Sequence, residues 1–448
     1  MYKEWLTFAK ETDSPTLRGS MMDLHWFVNH ASWRFALRDM TRFFGYLWRL
    51  LRSPRALFNP AEELLFVVDT PGVGGVLTLL PLLEAIPASV RVTLAMTDFV
   101  HRNAVFQAAV AKRDNVTVLN IDAWRGQLTL DREMCRATFA LVVRYPRIAA
   151  TVPLFLLRQH AYSAVARGCM APGKTIALVV FNERMLPSAS FSEVARKIGV
   201  PTVAVQHGNF VNNYLPVLVD RYLTWGRFHS LWLARHATCV AEVIGSPRMD
   251  GLRQPARQIQ QWPAGRRVHV VFFSQVGSAS VSPEMISHTR REILQLVDNQ
   301  QLRLTIKLHP LDTIDNWKCE GSQVEQVSFI KGNATLAEAL ADADLVCSFY
   351  STVLTEALLW DLPTIQLNPY PDTVDYFPDR NGITAVASAA ELLRLINKLH
   401  ASRAAMLAMI EHQRTLREGY FSNLGTACSH FWKALLPTSH AKIKQDST

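Results

Sequence analysis

Residues Leu64-Leu65-Phe66-Val67-Val68-Asp69-Thr70-Pro71-Gly72-Val73-Gly74-Gly75 decide the fold. Five apolar residues in a row, with no polar alternation, fit a strand covered on both faces, as in a parallel sheet. The Asp-Thr-Pro-Gly that follows is turn chemistry. The apolar stretch after Gly75 predicts a helix through Ile86. The order is therefore strand, glycine-rich loop, helix, the opening of a βαβ unit.

Outward from this unit the alternation continues. Strands are predicted over 90–96, 116–121, 175–181 and 202–205, with a helical region over about 131–166 and a helix over 191–198. Beyond Ser246-Pro247-Arg248 the pattern restarts. Strands are predicted over 267–273, 302–308, 327–330, 345–348 and 364–367. Helices are predicted over 283–297, 336–340, 352–359, 389–399 and 401–418. Two such blocks predict an α/β protein with two Rossmann-like domains facing each other. Ligands would bind at the carboxyl ends of the strands. The expected division is a helical basic extension over 1–60, an acceptor domain over 61–245, a nucleotide-donor domain over 246–435 and a tail over 436–448.

Composition agrees with this division. A chain of 448 residues is too long for one ordinary core. Its 49% hydrophobic and 19% charged residues are those of a globular protein. The six cysteines form no Cys-x-x-Cys pair, which points to neither a zinc site nor a disulfide framework. Met1-Tyr2-Lys3-Glu4-Trp5 lacks the features of a signal peptide. No apolar run approaches the roughly 18–20 residues that span a bilayer. The expectation is a cytoplasmic protein.

The net charge of +9 is partly localised. Arg34, Arg38, Arg42 and Arg49 share one helical face of residues 33–52, ending near Arg52. Trp33, Leu37, Met40, Phe44, Leu47, Trp48 and Leu51 cover the other. This is the pattern of an interfacial membrane helix, and equally of a helix packed on the protein's own core. No nucleic-acid recognition motif accompanies the charge, so nucleic acid is not an expected partner.

Five places carry candidate chemistry. Gly72, Gly74 and Gly75 form a loop that either makes a tight turn or lets an acceptor approach the backbone. The spacing fits neither Gly-x-Gly-x-x-Gly nor a Walker loop, so no dinucleotide cofactor is expected. Glu183 follows a strand and is either an ion-pair partner of Arg184 or a catalytic carboxylate. His207, in Gln206-His207-Gly208, stands at another strand end, where an imidazole can take a proton from a hydroxyl. Lys307-Leu308-His309-Pro310 repeats that arrangement in the second block, with His309 as a donor to a phosphate oxygen and Lys307 as added positive charge. Ser351 and Thr352 precede a helix and offer hydroxyls either to its own N-terminus or to a phosphate. Glu356, one turn later, is placed to accept from a ribose hydroxyl. Asp342 and Asp344 fit a helix end better than a metal motif, and no metal is expected.

Taken together, these segments resemble the GT-B glycosyltransferase-like proteins of capsule and lipopolysaccharide synthesis. The resemblance runs over about residues 175–430. It rests on Glu183 through Gly208, Gly245-Ser246-Pro247-Arg248-Met249-Asp250, Lys307 to Pro310, Asp344 through Pro363, and Gly425-Thr426-Ala427. The set is similar to bacterial sialyltransferases, Kdo transferases and CDP-glycerol glycerophosphotransferases. It departs from the last in having Gln206 before His207 and Glu356 after the hydroxyls. The resemblance implies a metal-independent glycosyltransferase with a nucleotide-activated, CMP-linked sugar donor and a glycan or lipid-linked acceptor. It implies donor-phosphate contacts from His309, Ser351 and Thr352, with Pro310 beside them in the donor-binding motif. It also implies a base at His207; the residues themselves leave Glu183 as the other candidate base and Asp250 as a residue of the hinge or of catalysis. Alternatives are a polyol-phosphate transferase, a UDP-sugar transferase or 2-epimerase, and a non-catalytic assembly partner.

Overall fold

The computed structural model describes residues 64–70, 72, 75–123, 151–210, 214–251, 262, 265–277, 281–332, 334–371 and 382–436, with single positions at 44, 45, 48, 139 and 143. The basic segment 33–52 and the tail beyond 436 lie almost wholly outside the described residues, as does Gly74. The chain divides into two units. One comprises Met1–Gly208, Tyr214–Leu252 and Ser422–Thr448, the other Asn209–Asn213 and Arg253–Phe421.

The first unit is built on seven parallel strands: β1 Leu64–Val68, β2 Val92–Met96, β3 Val116–Asn120, β4 Ala177–Val180, β5 Thr202–Val205, β6 Arg221–Thr224 and β7 Val240–Val243. Their order across the sheet is β3-β2-β1-β4-β5-β6-β7. All five residues of β1 are buried, as its unbroken apolar run requires. Phe66 is paired with Leu94 of β2 on one side and Val179 of β4 on the other. The helix Ser188–Ile198 starts three residues earlier than its sequence predicts. It ends at Gly199 (φ 76°), which receives the left-handed conformation an L side chain disfavours.

The second unit has six parallel strands: β8 Val268–Phe273, β9 Leu302–Lys307, β10 Ser328–Ile330, β11 Leu345–Ser348, β12 Thr364–Leu367 and β13 Thr384–Val386. Their order is β10-β9-β8-β11-β12-β13. The helix Pro283–Leu294 begins at Ser282, whose hydroxyl accepts from Met285 N, with proline at the first helical position. Ser402 separates the last two helices of this unit and caps the second, Arg403–Tyr420, by accepting from Ala405 N.

Both sheets therefore have the doubly wound order in which the first strand is central and the direction of winding reverses beside it. The reversal falls between β1 and β4 in the first unit and between β8 and β11 in the second. Residues 422–435 depart from the expected division. The helix Ala427–Leu435 buries Cys428, Phe431, Trp432 and Leu435 in the core of the first sheet, not the second. The rings of Phe431 and Trp432 each lie 6.1 Å from that of Phe66. No helix among the described residues is long and apolar enough to cross a membrane.

Candidate active-site residues in the two units

In the first unit, the loop after β1 serves its own turn. Thr70 Oγ1 accepts from Gly72 N at 3.2 Å, and Val76 N donates to Thr70 O at 3.0 Å. A Cβ on Gly75 would stand 2.1 Å from Thr70 O, so no larger residue fits there. These contacts at Gly72 and Gly75 are those of a tight turn. Asp69, one residue past the strand, accepts from Ser188 Oγ at 2.9 Å and ties this loop to the helix after β4.

Across the reversal, a buried polar cluster gathers at the ends of β4, β5 and β6. Glu183 is wholly buried, and its Oε2 accepts from the Tyr222 hydroxyl at 3.4 Å. Its Oε1 lies 3.9 Å from Arg184 Nε, which is an ion-pair distance without a hydrogen bond. The Arg184 guanidinium sits over the Tyr214 ring, 4.4 Å from its centroid. Tyr214 Oη is 3.3 Å from His207 Nε2. Burial raises the Glu183 carboxyl above the ordinary glutamate range, against the opposing effect of Arg184. Burial, then the charge of Arg184 and lastly that of Arg248, brings His207 down to about 4, while the Phe181 backbone opposes the fall. The ring is therefore neutral at physiological pH and able to accept a proton.

Gln206 holds His207 in place. Its side chain accepts from Trp225 N at 2.7 Å and donates to Gly208 O at 2.8 Å, while its carbonyl accepts from Trp225 Nε1 at 2.9 Å. A wholly buried glutamine thus closes the turn that carries the imidazole. Asp250, expected at a hinge or in catalysis, spends both carboxylate oxygens on backbone. They accept from Ala427 N at 3.0 Å and Cys428 N at 2.7 Å, the open first turn of the C-terminal helix.

In the second unit, the loops after β8, β9 and β11 are bonded to one another. Ser274 Oγ accepts from His309 N at 2.8 Å, and the Tyr350 hydroxyl donates to Val276 O. Ser348 Oγ donates to Phe273 O at 2.8 Å. His309 Nδ1 accepts from Leu311 N at 3.1 Å. A backbone amide can only donate, so in the neutral ring the proton resides on Nε2. Burial, the largest influence, lowers the His309 pKa below the ordinary value, with Lys307 acting in the same sense and Asp312 opposing. The side chain is a neutral Nε2–H donor.

Lys307 does not present itself as an open charge. Its Nζ donates to Leu308 O at 3.0 Å and to Gly332 O at 2.7 Å. The second bond draws residue 332 against the His309-Pro310 turn, where a Cβ would stand 2.8 Å from Pro310 Cα and 2.9 Å from His309 O. Asp312 anchors the far side, receiving Arg290 Nη2 at 2.8 Å and Trp317 Nε1 at 3.0 Å. Ser351 Oγ accepts from Val353 N at 3.2 Å, so this hydroxyl caps its own helix while keeping its proton to donate. Thr352 O accepts from Thr355 Oγ1 at 2.7 Å. Glu356 is buried within the helix Val353–Ala357. Asp342 and Asp344 pair with Arg303 at 2.6 Å and Arg266 at 2.8 Å. Among the described residues, no group of three or more His, Cys, Asp or Glu side chains is placed to hold a metal ion.

Two parallel, doubly wound α/β units of this kind are a GT-B-like fold. No protein-family model matches the chain, and neither does any curated protein. Solved structures do. The chain is similar to the UDP co-structure of S. aureus MnaA, with a TM-score of 0.50 and 10% identity over 84% of this chain and 98% of that one. The UDP-GlcNAc 2-epimerase of Neisseria meningitidis bound to UDP-GlcNAc has a TM-score of 0.49 and 12% identity, over 83% and 99% of the two chains. MurG of Acinetobacter baumannii has a TM-score of 0.44 and 12% identity, over 84% and 99%. At 10% identity the likeness to S. aureus MnaA is one of fold alone.

Proposed function

We propose that this chain is a cytoplasmic glycosyltransferase of surface-polysaccharide synthesis that uses a pyrimidine-nucleotide-activated sugar. The observation that carries the reading is His309. It stands at the carboxyl end of β9, the neighbour of the central strand β8, with Nδ1 engaged and Nε2–H left as the donor. A neutral N–H donor suits a donor-phosphate oxygen, and the Ser351 and Thr352 hydroxyls add to it across the bonded loop 274–277. The leaving group is a nucleotide phosphate, whose developing negative charge these donors stabilise more than the ground state.

On the first unit, His207 is the base that takes the acceptor hydroxyl proton as the hydroxyl oxygen attacks the anomeric carbon. A base of this kind contributes roughly 10²–10⁴-fold. Gln206 fixes the turn that carries it, and Tyr214 orients the ring. The resemblance to capsule and lipopolysaccharide enzymes supports a cytidine nucleotide and a lipid-linked or glycan acceptor. The likeness to a fold that holds UDP supports a uridine nucleotide.

Calorimetric titration with CMP, CDP, UDP and GDP, with and without magnesium, tests the reading. Metal-independent binding of CMP or UDP is expected. Incubating the preferred nucleotide sugar alone then separates transfer from epimerisation, because an epimerase converts its donor without an acceptor. Failure of all four nucleotides to bind would remove the proposal.

A further inference from the structure

We propose that Arg184, with Arg248, forms an oxyanion site beside His207 that binds a carboxylate or phosphate of the acceptor. The inference deepens the reading above and rests on it for the word acceptor. Arg184 is 6% exposed, and burying a guanidinium is unfavourable unless it is paired and hydrogen-bonded. Yet its Nε is buried with no acceptor among the described residues. The nearest carboxylate oxygen, Glu183 Oε1, stops at 3.9 Å, and it too has no hydrogen-bond partner. An ion pair built only for stability would close to hydrogen-bond distance.

The Arg184 guanidinium lies 4.4 Å from the Tyr214 ring centroid, and a contact to a ring face uses none of the guanidinium's N–H donors, which suit a planar or tetrahedral oxyanion. Arg248, in the turn Pro247–Met249, adds a second positive charge felt at the same imidazole. Glu183 is the opposing charge, and its own burial favours its neutral form. All of these groups stand at the carboxyl ends of β4 to β7, on the edge of the sheet where ligands bind. An anion held there would bring an adjacent hydroxyl to His207.

The test is nitrogen-15 histidine NMR of the full chain at pH 7, with the His207 signal assigned from His207→Gln. Inorganic phosphate, glucuronate and glucose are titrated separately. We expect the His207 signal to move saturably with phosphate or with glucuronate, whichever the acceptor carries, and not with glucose. Arg184→Gln should weaken that binding at least ~10-fold, the loss of one charge-assisted hydrogen bond, and Arg184→Lys should weaken it less. If circular dichroism shows Arg184→Gln unfolded, Arg248→Gln is held to the same loss. No saturation with either anion, or unchanged affinity in the folded variant, overturns the site. Titrating CMP and UDP on the same sample separates the two readings. Nucleotide binding without anion binding removes this proposal alone, and anion binding without nucleotide binding removes the transferase and leaves the anion site.

Discussion

His309 Nδ1 receives the amide proton of Leu311 at 3.1 Å, and this one bond decides which ring nitrogen carries the proton of the neutral ring. Loss of the ring should therefore act on the nucleotide phosphate, and it also leaves the Leu311 amide without this acceptor. His309→Ala is expected to weaken nucleotide binding by about 1.5–3 kcal/mol, roughly 10- to 100-fold, as for a hydrogen bond to a charged group. Calorimetry reads it directly. The lowered pKa of His309 gives a second signature, since a ring already neutral has no proton to lose above pH 7. Nucleotide affinity should not fall between pH 7 and 8.5 on its account.

The turn behind His309 admits no side chain at residue 332. A Cβ there would stand within 3 Å of both Pro310 Cα and His309 O, and neither is the end of a flexible side chain. Gly332→Ala is expected to displace the His309-Pro310 turn and weaken nucleotide binding about 10-fold or more, with a stability loss of roughly 1–3 kcal/mol. Unaltered nucleotide affinity in this variant would separate the turn from the phosphate.

His207 should affect turnover and leave the nucleotide alone. His207→Ala is expected to lower kcat by about 10²–10⁴-fold while CMP or UDP affinity stays within twofold. Because burial and two arginines bring the ring down to about 4, the acid limb of the rate profile should lie near pH 4, well below the ordinary histidine value. Replacing Gln206 by Ala, which releases both Trp225 N and Gly208 O, should lower kcat in the same sense without abolishing the limb.

Much of this arrangement is legible in the sequence, for a physical reason. Strands buried on both faces are mostly apolar, so β1 and β4 stand out as unbroken runs, and β5, β11 and β12 are interrupted only by buried Thr, Ser or Gln. Strands that escape notice lack that constraint. β6 begins at a partly exposed arginine, β7 is nowhere fully buried, and β13 is three residues long. His207 and His309 are legible because a histidine at the end of an apolar strand is an exception with a position. Tyr214 and Tyr222 are not, because an aromatic residue in a loop or strand reads as core. Arg184 is legible only as a partner of Glu183, and its stacking on Tyr214 depends on a loop whose path no local pattern fixes. The helix Ala427–Leu435 has an apolar face that either core would accept, so the sequence assigns it by chain order, and the packing assigns it to Phe66.

That helix makes the role of Asp250 testable. Its carboxylate satisfies two backbone donors of the helix's first turn. Asp250→Ala should cost about 1–2 kcal/mol of stability, as loss of a cap does, with nucleotide affinity unchanged. Phe431→Ala should cost more, about 3–5 kcal/mol, because it opens a cavity against Phe66. Denaturant unfolding gives both values. A catalytic Asp250 would instead leave stability intact and remove turnover.

Acid should destabilise the fold through its buried histidines. His229 is buried on the helix Arg227–His236 that follows β6, with burial bringing it down to about 3, and His207 is lowered to about 4. In the unfolded chain both titrate near 6.5. Between those values the unfolded state binds more protons than the folded one, so stability rises with pH in that window and falls as pH drops through it. The contribution is fully present above pH 6.5 and is lost progressively toward pH 3. For His229 alone the loss by pH 4 is on the order of 3 kcal/mol. Denaturant midpoints measured from pH 7.5 to 4 should therefore decline below pH 6.5. His229→Gln should be less stable at pH 7.5 and decline less steeply below it. An equal slope in the two proteins would mean that His229 takes up its proton in the folded state as readily as in the unfolded chain, against the lowered value that burial gives it.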